Sequence, residues 1–188
     1  MIVSITGPGG SGKTTIAKLL AQKLKMKHYS MGVLRRRRAQ ELGLTIAEYN
    51  KLGERDPRTD LEVDEFQKEL GKKEDNFVID GRTSWYFIPH SLKIYIDVDE
   101  EEGAKRIFKD LAQNPQRQNE AKEIKSWQDV LKQLRQRNLS DERRYQKYYG
   151  INFKDKNHYN LVIDSTNLSV EEVLDVIFRF VKSKTNRK

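Results

Sequence analysis

Short apolar runs alternate along this chain with longer stretches whose apolar residues recur every three or four positions. Residues 2–6, 76–80, 92–98 and 159–164 read as strands, with His28-Tyr29-Ser30 a weak further one. Residues 12–24 read as a helix with Ile16, Leu19, Leu20 and Leu24 on one face. Residues 32–42 form a basic helix that Gly43 stops. Thr45-Ile46-Ala47-Glu48 is a capping box, and residues 58–71 continue as a helix after the break at Asp56-Pro57. Residues 99–111 make a helix whose acidic first turn suits the macrodipole. Residues 112–120 are polar, contain Pro115 and read as a loop. A long helical stretch follows, with Ile124, Trp127, Leu131 and Leu134 at helical spacing, and it runs on through 137–148 with a more charged face. Ser169-Val170-Glu171-Glu172 caps a last helix that sets Val170, Val173, Ile177 and Val181 in register.

Strand and helix in repeated alternation mean an α/β protein built on a five-stranded parallel sheet. Two segments fall outside the alternation, about 31–71 and 112–148. Insertions of this kind overhang the carboxyl ends of the strands, where open α/β sheets bind ligands.

Composition narrows the chemistry. The 188 residues suit one domain, and the absence of Cys excludes disulfides, thiolate-held zinc and a thiol nucleophile. No apolar run approaches the ~20 residues of a membrane span, and the start at Met1-Ile2-Val3-Ser4-Ile5 lacks a leader's basic region, so a soluble cytoplasmic protein is expected. The net charge of +8 resolves into Arg35–Arg38 and the tail 182–188, which carry +4 each. The remainder is balanced, which argues against a nucleic-acid-binding face.

The chemistry begins at Gly7-Pro8-Gly9-Gly10-Ser11-Gly12-Lys13-Thr14, a complete G-x-x-x-x-G-K-[ST] motif between a strand and a helix, with Thr15 just behind it. Its glycines let backbone N–H groups turn inward around phosphate oxygens, and the helix adds its positive end. Lys13 brings an ammonium to the β- and γ-phosphates of a nucleoside triphosphate, and Thr14 offers a hydroxyl to Mg²⁺. The third strand ends Asp80-Gly81-Arg82, which places Asp80 to hold Mg²⁺ through water and frees Arg82 to reach an anionic acceptor. A GTPase base-reading Asn-Lys-x-Asp is missing, since Asn50-Lys51-Leu52-Gly53 lacks the Asp.

Two further clusters carry positive charge. Four successive arginines at 35–38 lie ~100° apart on a helix, so one or two face a cleft and the rest, Arg35, Arg37 and Arg38 among them, read as a solvated face. Arg137-x-x-x-Asp141-x-x-Arg144 sets two guanidiniums and a carboxylate on one helix face, either a phosphate clamp or a salt-bridged surface.

These residues resemble the P-loop nucleoside monophosphate kinases, most closely the short archaeal-type cytidylate kinases, from Met1 to about Val181. The resemblance rests on the P-loop, Ser30-x-Gly32 with Arg36, Glu48-Tyr49-Asn50-Lys51 with Asp56-Pro57, Asp60-x-x-x-Asp64, Asp80-Gly81-Arg82, Arg137-x-x-x-Asp141-x-x-Arg144-Tyr145 with Tyr149-Gly150-Ile151, and Leu161-Val162-Ile163-Asp164-Ser165-Thr166. It implies a P-loop NTPase three-layer α/β/α fold, with core segments near 1–29, 73–111 and 149–183. A monophosphate-binding insertion is expected near 30–72, a short lid near 112–148 and a basic tail at 182–188. ATP with Mg²⁺ is implied as donor and CMP or dCMP as acceptor. Arg36 then grips the acceptor phosphate beside Ser30 and Gly32, Arg82 contacts the acceptor, Asp141 serves the acceptor nucleotide, and Lys13, Asp80, Arg137 and Arg144 are the catalytic set. Lys105 and Arg106 rank lower, as lid charge. A monomer without membrane or nucleic-acid partners is expected. The alternatives are another acceptor (UMP, AMP or a small metabolite) and a P-loop ATPase switch that binds RNA.

Overall fold

The structure, a computed structural model, describes residues 1–113 and 124–185. Its strands are β1 (Ile2–Thr6), β2 (Lys27–Ser30), β3 (Phe77–Asp80), β4 (Leu92–Asp97) and β5 (Leu161–Asp164). Its helices are α1 (Lys13–Leu24), α2 (Met31–Glu41), α3 (Ile46–Gly53), α4 (Arg58–Lys73), α5 (Ser84–Phe87), α6 (Glu100–Gln113), α7 (Trp127–Tyr149) and α8 (Val170–Thr185). The strands form one sheet in the order β2-β3-β1-β4-β5, every pair parallel. This is the expected α/β fold, and its central strand delivers the P-loop.

Alternation along the strands divides the core. Val3 and Ile5, with Val78, Ile94, Ile96 and Ile163, meet Ile16 and Leu20 of α1 and Val173, Ile177 and Val181 of α8. On the opposite face Ile2, Phe77 and Ile79 meet Met31, Val63, Leu70 and Ile88. A parallel sheet buried on both faces needs such continuous apolar strands. Ala104, Ile107 and Leu111 of α6 pack on Val130, Leu131 and Leu134 of α7, which carries α7 over the carboxyl end of the sheet.

Local signals set most boundaries. Thr45 and Glu48 form the capping box of α3, and Ser126 with Asp129 forms another at α7. Gly150, in the left-handed region at φ 67°, ends α7. The backbone N–H groups of Glu101 and Glu102 donate to Asp99 at the start of α6.

Several expectations change. Ser84–Phe87 forms a short helix that no periodicity announced. The fifth strand starts at Leu161, behind a 3₁₀ turn over Lys156–His158. Val170, expected in the core register of α8, is exposed, while Val173, Ile177 and Val181 are buried. Lys182 and Lys184 belong to the last turn of α8, where cations suit the helix dipole, and are not a tail beyond it. Ala112 and Gln113 are helical; the rest of the polar loop expected over 112–120 lies outside the described residues, as does the end of the basic tail. No helix among the described residues is long and apolar enough to cross a membrane.

Phe77 is fully buried between β1, β2 and the α4 side of the sheet. Phe77→Ala is expected to cost about 3–5 kcal/mol, read as a lower urea midpoint with an unchanged slope.

Candidate active site

β1 ends under a loop that its neighbours hold in one shape. Gly10 sits at φ +82° against α6, and a Cβ there would lie 2.2 Å from the Gly103 carbonyl oxygen. Only glycine meets both conditions, so the loop's backbone stays against α6 with its N–H groups available for phosphate. The Lys13 ammonium donates to the Pro8 carbonyl at 3.0 Å, folded over the loop it would serve. Burial and the Arg82 guanidinium push this ammonium down to about 7. A phosphate in the loop reverses that penalty.

Asp80, at the end of β3, is 1 % exposed and joins three elements. Its Oδ2 accepts from the Thr14 hydroxyl at 2.8 Å and from the Ser30 hydroxyl at 3.1 Å. His28 Nε2 lies 2.8 Å from its Oδ1. Parallel pairing of β2 with β3 sets Ser30 beside Asp80, and alternation puts His28 on the same face as Ser30. A hydroxyl and a carboxylate converging beside a phosphate loop are the hard oxygen donors that Mg²⁺ takes, so this pair fits the ion.

Beyond the P-loop, arginines and aspartates interlock. Arg35 Nη1 donates to Asp60 at 2.6 Å, and its Nε donates to Asn50 at 3.0 Å. Arg144 Nη1 donates to Asp60 at 2.7 Å, and its Nη2 donates to Asp141. Arg82 donates to Asp141 and, at 2.9 Å, to Asn138. Arg137 Nε stands 3.8 Å from Asp141 and has no hydrogen-bond partner among the described residues. Although burial opposes its charge, the guanidiniums of Arg82, Arg144 and Arg137 hold Asp141 down to about 2. Burial and Arg82 lower Arg137 to about 10. Asp60 also has a neighbour in Asp64, one turn along α4. Burial raises Asp64 to about 7 despite the Tyr149 hydroxyl that donates to it, and the Asp60 charge adds to the rise.

One cavity of about 580 Å³ joins the P-loop to part of this network. Gly9 to Thr15 line one part, and Gly32, Arg35, Arg36, Asp60, Asp64, Asp80, Arg82, Arg137 and Asp141 line another. Gly7, Pro8, Ser30 and Arg144 do not line it: Gly7 packs on the Ile96 carbonyl, and Arg144, 2 % exposed, lies in the ion-pair lattice behind Asp141 and Asp60. Arg106 reaches the cavity at a further edge, bonded to the carbonyls of Ser165 and Thr166, while Lys105 lies over the Trp127 ring.

The reading of Arg35 as solvated is corrected. It is 8 % exposed, because α2 packs this face on α3 and α4 and the Asp60 carboxylate compensates its charge. Arg37 pairs with Glu41, and Arg38 with Glu41 and Glu62, on the outer face as expected. His28, Arg35, Asn138 and Tyr149 had no assigned role in sequence, nor had Asp60 and Asp64. The i, i+4 spacing of Asp60 and Asp64 was a visible signal, whereas the partner of His28 lies 52 residues away.

A phosphate loop facing an arginine-lined cavity, on a parallel sheet of this order, is the layout of a P-loop phosphotransferase. Residues 2–167 match the cytidylate kinase-like family. The chain is 35 % identical to the cytidylate kinase of Archaeoglobus fulgidus over 185 residues, which cover 98 % of this chain and 96 % of that protein. It is 33 % identical to the cytidylate kinase of Methanocaldococcus jannaschii over 182 residues, 94 % of this chain and 95 % of that one. Among solved structures, a shikimate kinase from Bacteroides thetaiotaomicron aligns with a TM-score of 0.62 at 13 % identity, over 97 % of this chain and 98 % of that chain. A protein from Eubacterium ventriosum aligns with a TM-score of 0.68 at 19 % identity, over 97 % of this chain and 99 % of that chain. These two likenesses bear on the fold. The chain belongs to the cytidylate kinase-like family, and it is a phosphotransferase with a nucleoside monophosphate kinase role.

The lattice gives two stability predictions. Arg144→Ala leaves Asp60 and Asp141 each short of a buried cation, and it is expected to cost about 3–5 kcal/mol, read from denaturant midpoints. Asp64 binds its proton more tightly folded than unfolded, so it is protonated in the folded protein over a window where the unfolded chain has already ionised. Its contribution to stability therefore falls as pH rises from about 4 to about 7. Asp64→Asn is expected to remove that component from a series of unfolding curves across this range.

Proposed function

We propose that this enzyme transfers the γ-phosphoryl group of ATP to CMP or dCMP, giving ADP and the corresponding diphosphate. The observation that carries the reading is the cavity that Lys13 and the P-loop share with Arg36, Arg82 and Arg137. A hydrolase needs one phosphate cradle; a P-loop with a further set of arginines in the same cavity suits two phosphates brought together. The relatives named cytidylate kinase support the choice of base.

In this reading the backbone of Gly9, Gly10, Ser11 and Gly12 holds the ATP phosphates, with Gly7 and Pro8 shaping the turn, and Lys13 binds the β- and γ-oxygens. Thr15 sits at the helix start behind Thr14. Thr14 and Asp80 would hold Mg²⁺, with His28 and Ser30 keeping the carboxylate in place. The ion supplies charge neutralisation on the donor phosphates. Arg36, beside Ser30 and Gly32, and Arg82 grip the acceptor phosphate. Arg137, whose Nε is unclaimed, stabilises charge on the transferring group. Asp141 serves the acceptor nucleotide. Arg144 acts as a positioning residue: it holds Asp141 and Asp60 in place without meeting the substrate.

No covalent intermediate is required, because an acceptor phosphate oxygen attacks in line and the protein supplies position and charge. The segment 30–72 forms the acceptor side, and the described residues 124–148 belong to the lid that excludes water. The enzyme works in the cytoplasm as a monomer, without membrane or nucleic-acid partners.

The test is ADP release measured with CMP, dCMP, UMP, AMP and no acceptor. Release is expected to depend on acceptor and to favour CMP or dCMP. Arg137→Ala is expected to lose about 10³-fold in kcat with little change in thermal stability. Release independent of any monophosphate would overturn the kinase reading.

A further inference from the structure

The acceptor end of the cavity holds three carboxylates with different fates. Asp60 is bound by Arg35 and Arg144, and Asp141 by Arg82, Arg137 and Arg144. Asp64 lines the same cavity, is 3 % exposed, and forms no ion pair among the described residues. A buried carboxyl without a cation is costly unless hydrogen-bond donors reach it.

The donors it does have are arranged with care. The Tyr149 hydroxyl donates to Oδ2. Gln67 Nε2 donates to Oδ1 at 3.3 Å, with the Thr83 hydroxyl at 3.5 Å. Ser84 donates to Gln67 Oε1 at 2.7 Å, which turns the Gln67 amide so that its N–H₂ faces Asp64. The Tyr149, Gln67 and Thr83 donors all present protons to this carboxyl, which favours its role as an acceptor. Burial and the nearby Asp60 charge, which raise Asp64 to about 7, mean that one more donor would stabilise its anion appreciably.

The walls beside it are of another kind. Met31, Val63 and Tyr145 are buried and line the same cavity as Asp64, Val63 as its neighbour on α4. Apolar and aromatic walls with one polar edge group are what a flat heterocycle requires: its faces contact the walls and its edge meets the polar group. The arginines that suit the acceptor phosphate line the same cavity.

We propose that Asp64 reads the base of the acceptor by accepting a hydrogen bond from an exocyclic ring amine. The inference rests on the pyrimidine monophosphate reading above and adds the group that selects within it. Cytosine carries N4–H₂ where uracil carries O4. The amine gives the carboxylate its missing donor; the carbonyl of uracil faces an acceptor with an acceptor. A site built to hydrogen-bond a group rejects the analogue that lacks it far more strongly than an apolar pocket does.

The test compares three acceptors on the full chain with saturating ATP: CMP, UMP, and the CMP analogue with hydrogen in place of the 4-amino group. The unaltered enzyme is expected to prefer CMP over the deamino analogue by about 100-fold in kcat/KM, the scale of a hydrogen bond to a charged group. In Asp64→Asn, whose side-chain amide can donate to a carbonyl, the gap between CMP and the analogue is expected to close to about threefold, with UMP rising relative to CMP. Equal use of CMP and the analogue by the unaltered enzyme overturns the proposal without any variant. An unchanged CMP-to-analogue ratio in Asp64→Asn overturns it as well. Release of ADP with AMP but with neither pyrimidine nucleotide is a separate result, and it overturns the underlying choice of substrate.

Discussion

The acceptor half of this molecule depends on a buried chain of alternating charge, Arg35–Asp60–Arg144–Asp141–Arg82. Its members come from α2, α4, α7 and the loop after β3. Arg144 is 2 % exposed and carries its charge among carboxylates that repay its desolvation. Such a lattice adds less net stability than an apolar core of the same volume, but it punishes any one missing member heavily. It also has direction, since a guanidinium fork accepts a carboxylate in few geometries. A Cβ on Gly53 would sit 2.7 Å from Thr59 Oγ1 and 3.0 Å from Arg144 Nη1, so the end of α3 is pressed against the same lattice.

The lattice fixes which charges remain for chemistry. Arg144 is engaged by Asp60 and Asp141, and Asp60 by Arg35 and Arg144. Arg137 remains only loosely engaged, at 3.8 Å from Asp141, and Lys13 rests on a backbone carbonyl. A cleft holding several like charges in partial burial is poised for polyanions, because a phosphate restores the solvation those groups lost on folding. This electrostatic preorganisation is what phosphoryl transfer asks of a protein. The donor side is preorganised by a different device: the Asp80 carboxylate ties the P-loop threonine to β2 through Ser30 and His28.

Much of the architecture was legible before any coordinates. The period-2 and period-3.6 patterns gave the strands and all the longer helices, since amphipathic burial leaves that trace in sequence. The capping boxes at Thr45 and Ser169 marked helix starts, with Glu48 and Glu172 answering them in the structure. The helix over 84–87 left no trace because four residues span barely one turn, too short to show a period. The P-loop was readable because its chemistry is local: glycines, Lys13 and Thr14 act within eight consecutive residues.

The chain by itself determined the phosphate loop, the parallel α/β fold and the arginine-rich segments that would face it, because backbone geometry and helical spacing are local properties. Spacing alone could not show that Arg35 is buried, for that depends on Asn50 and Asp60, 15 and 25 residues away, whereas Arg37 and Arg38 meet Glu41 within one helical turn and Arg36 lines the cavity wall. Nor could it say that Arg144 is buried support while Arg137 faces the cavity, although the two share one helix face. Burial and ion pairing are decided by what the neighbouring elements bring to that face. Only the packing of α4 and the loop after β3 against α7 supplies Asp60, Arg82 and Asp64, and with them the division between the groups that hold the site and the groups that meet its substrate.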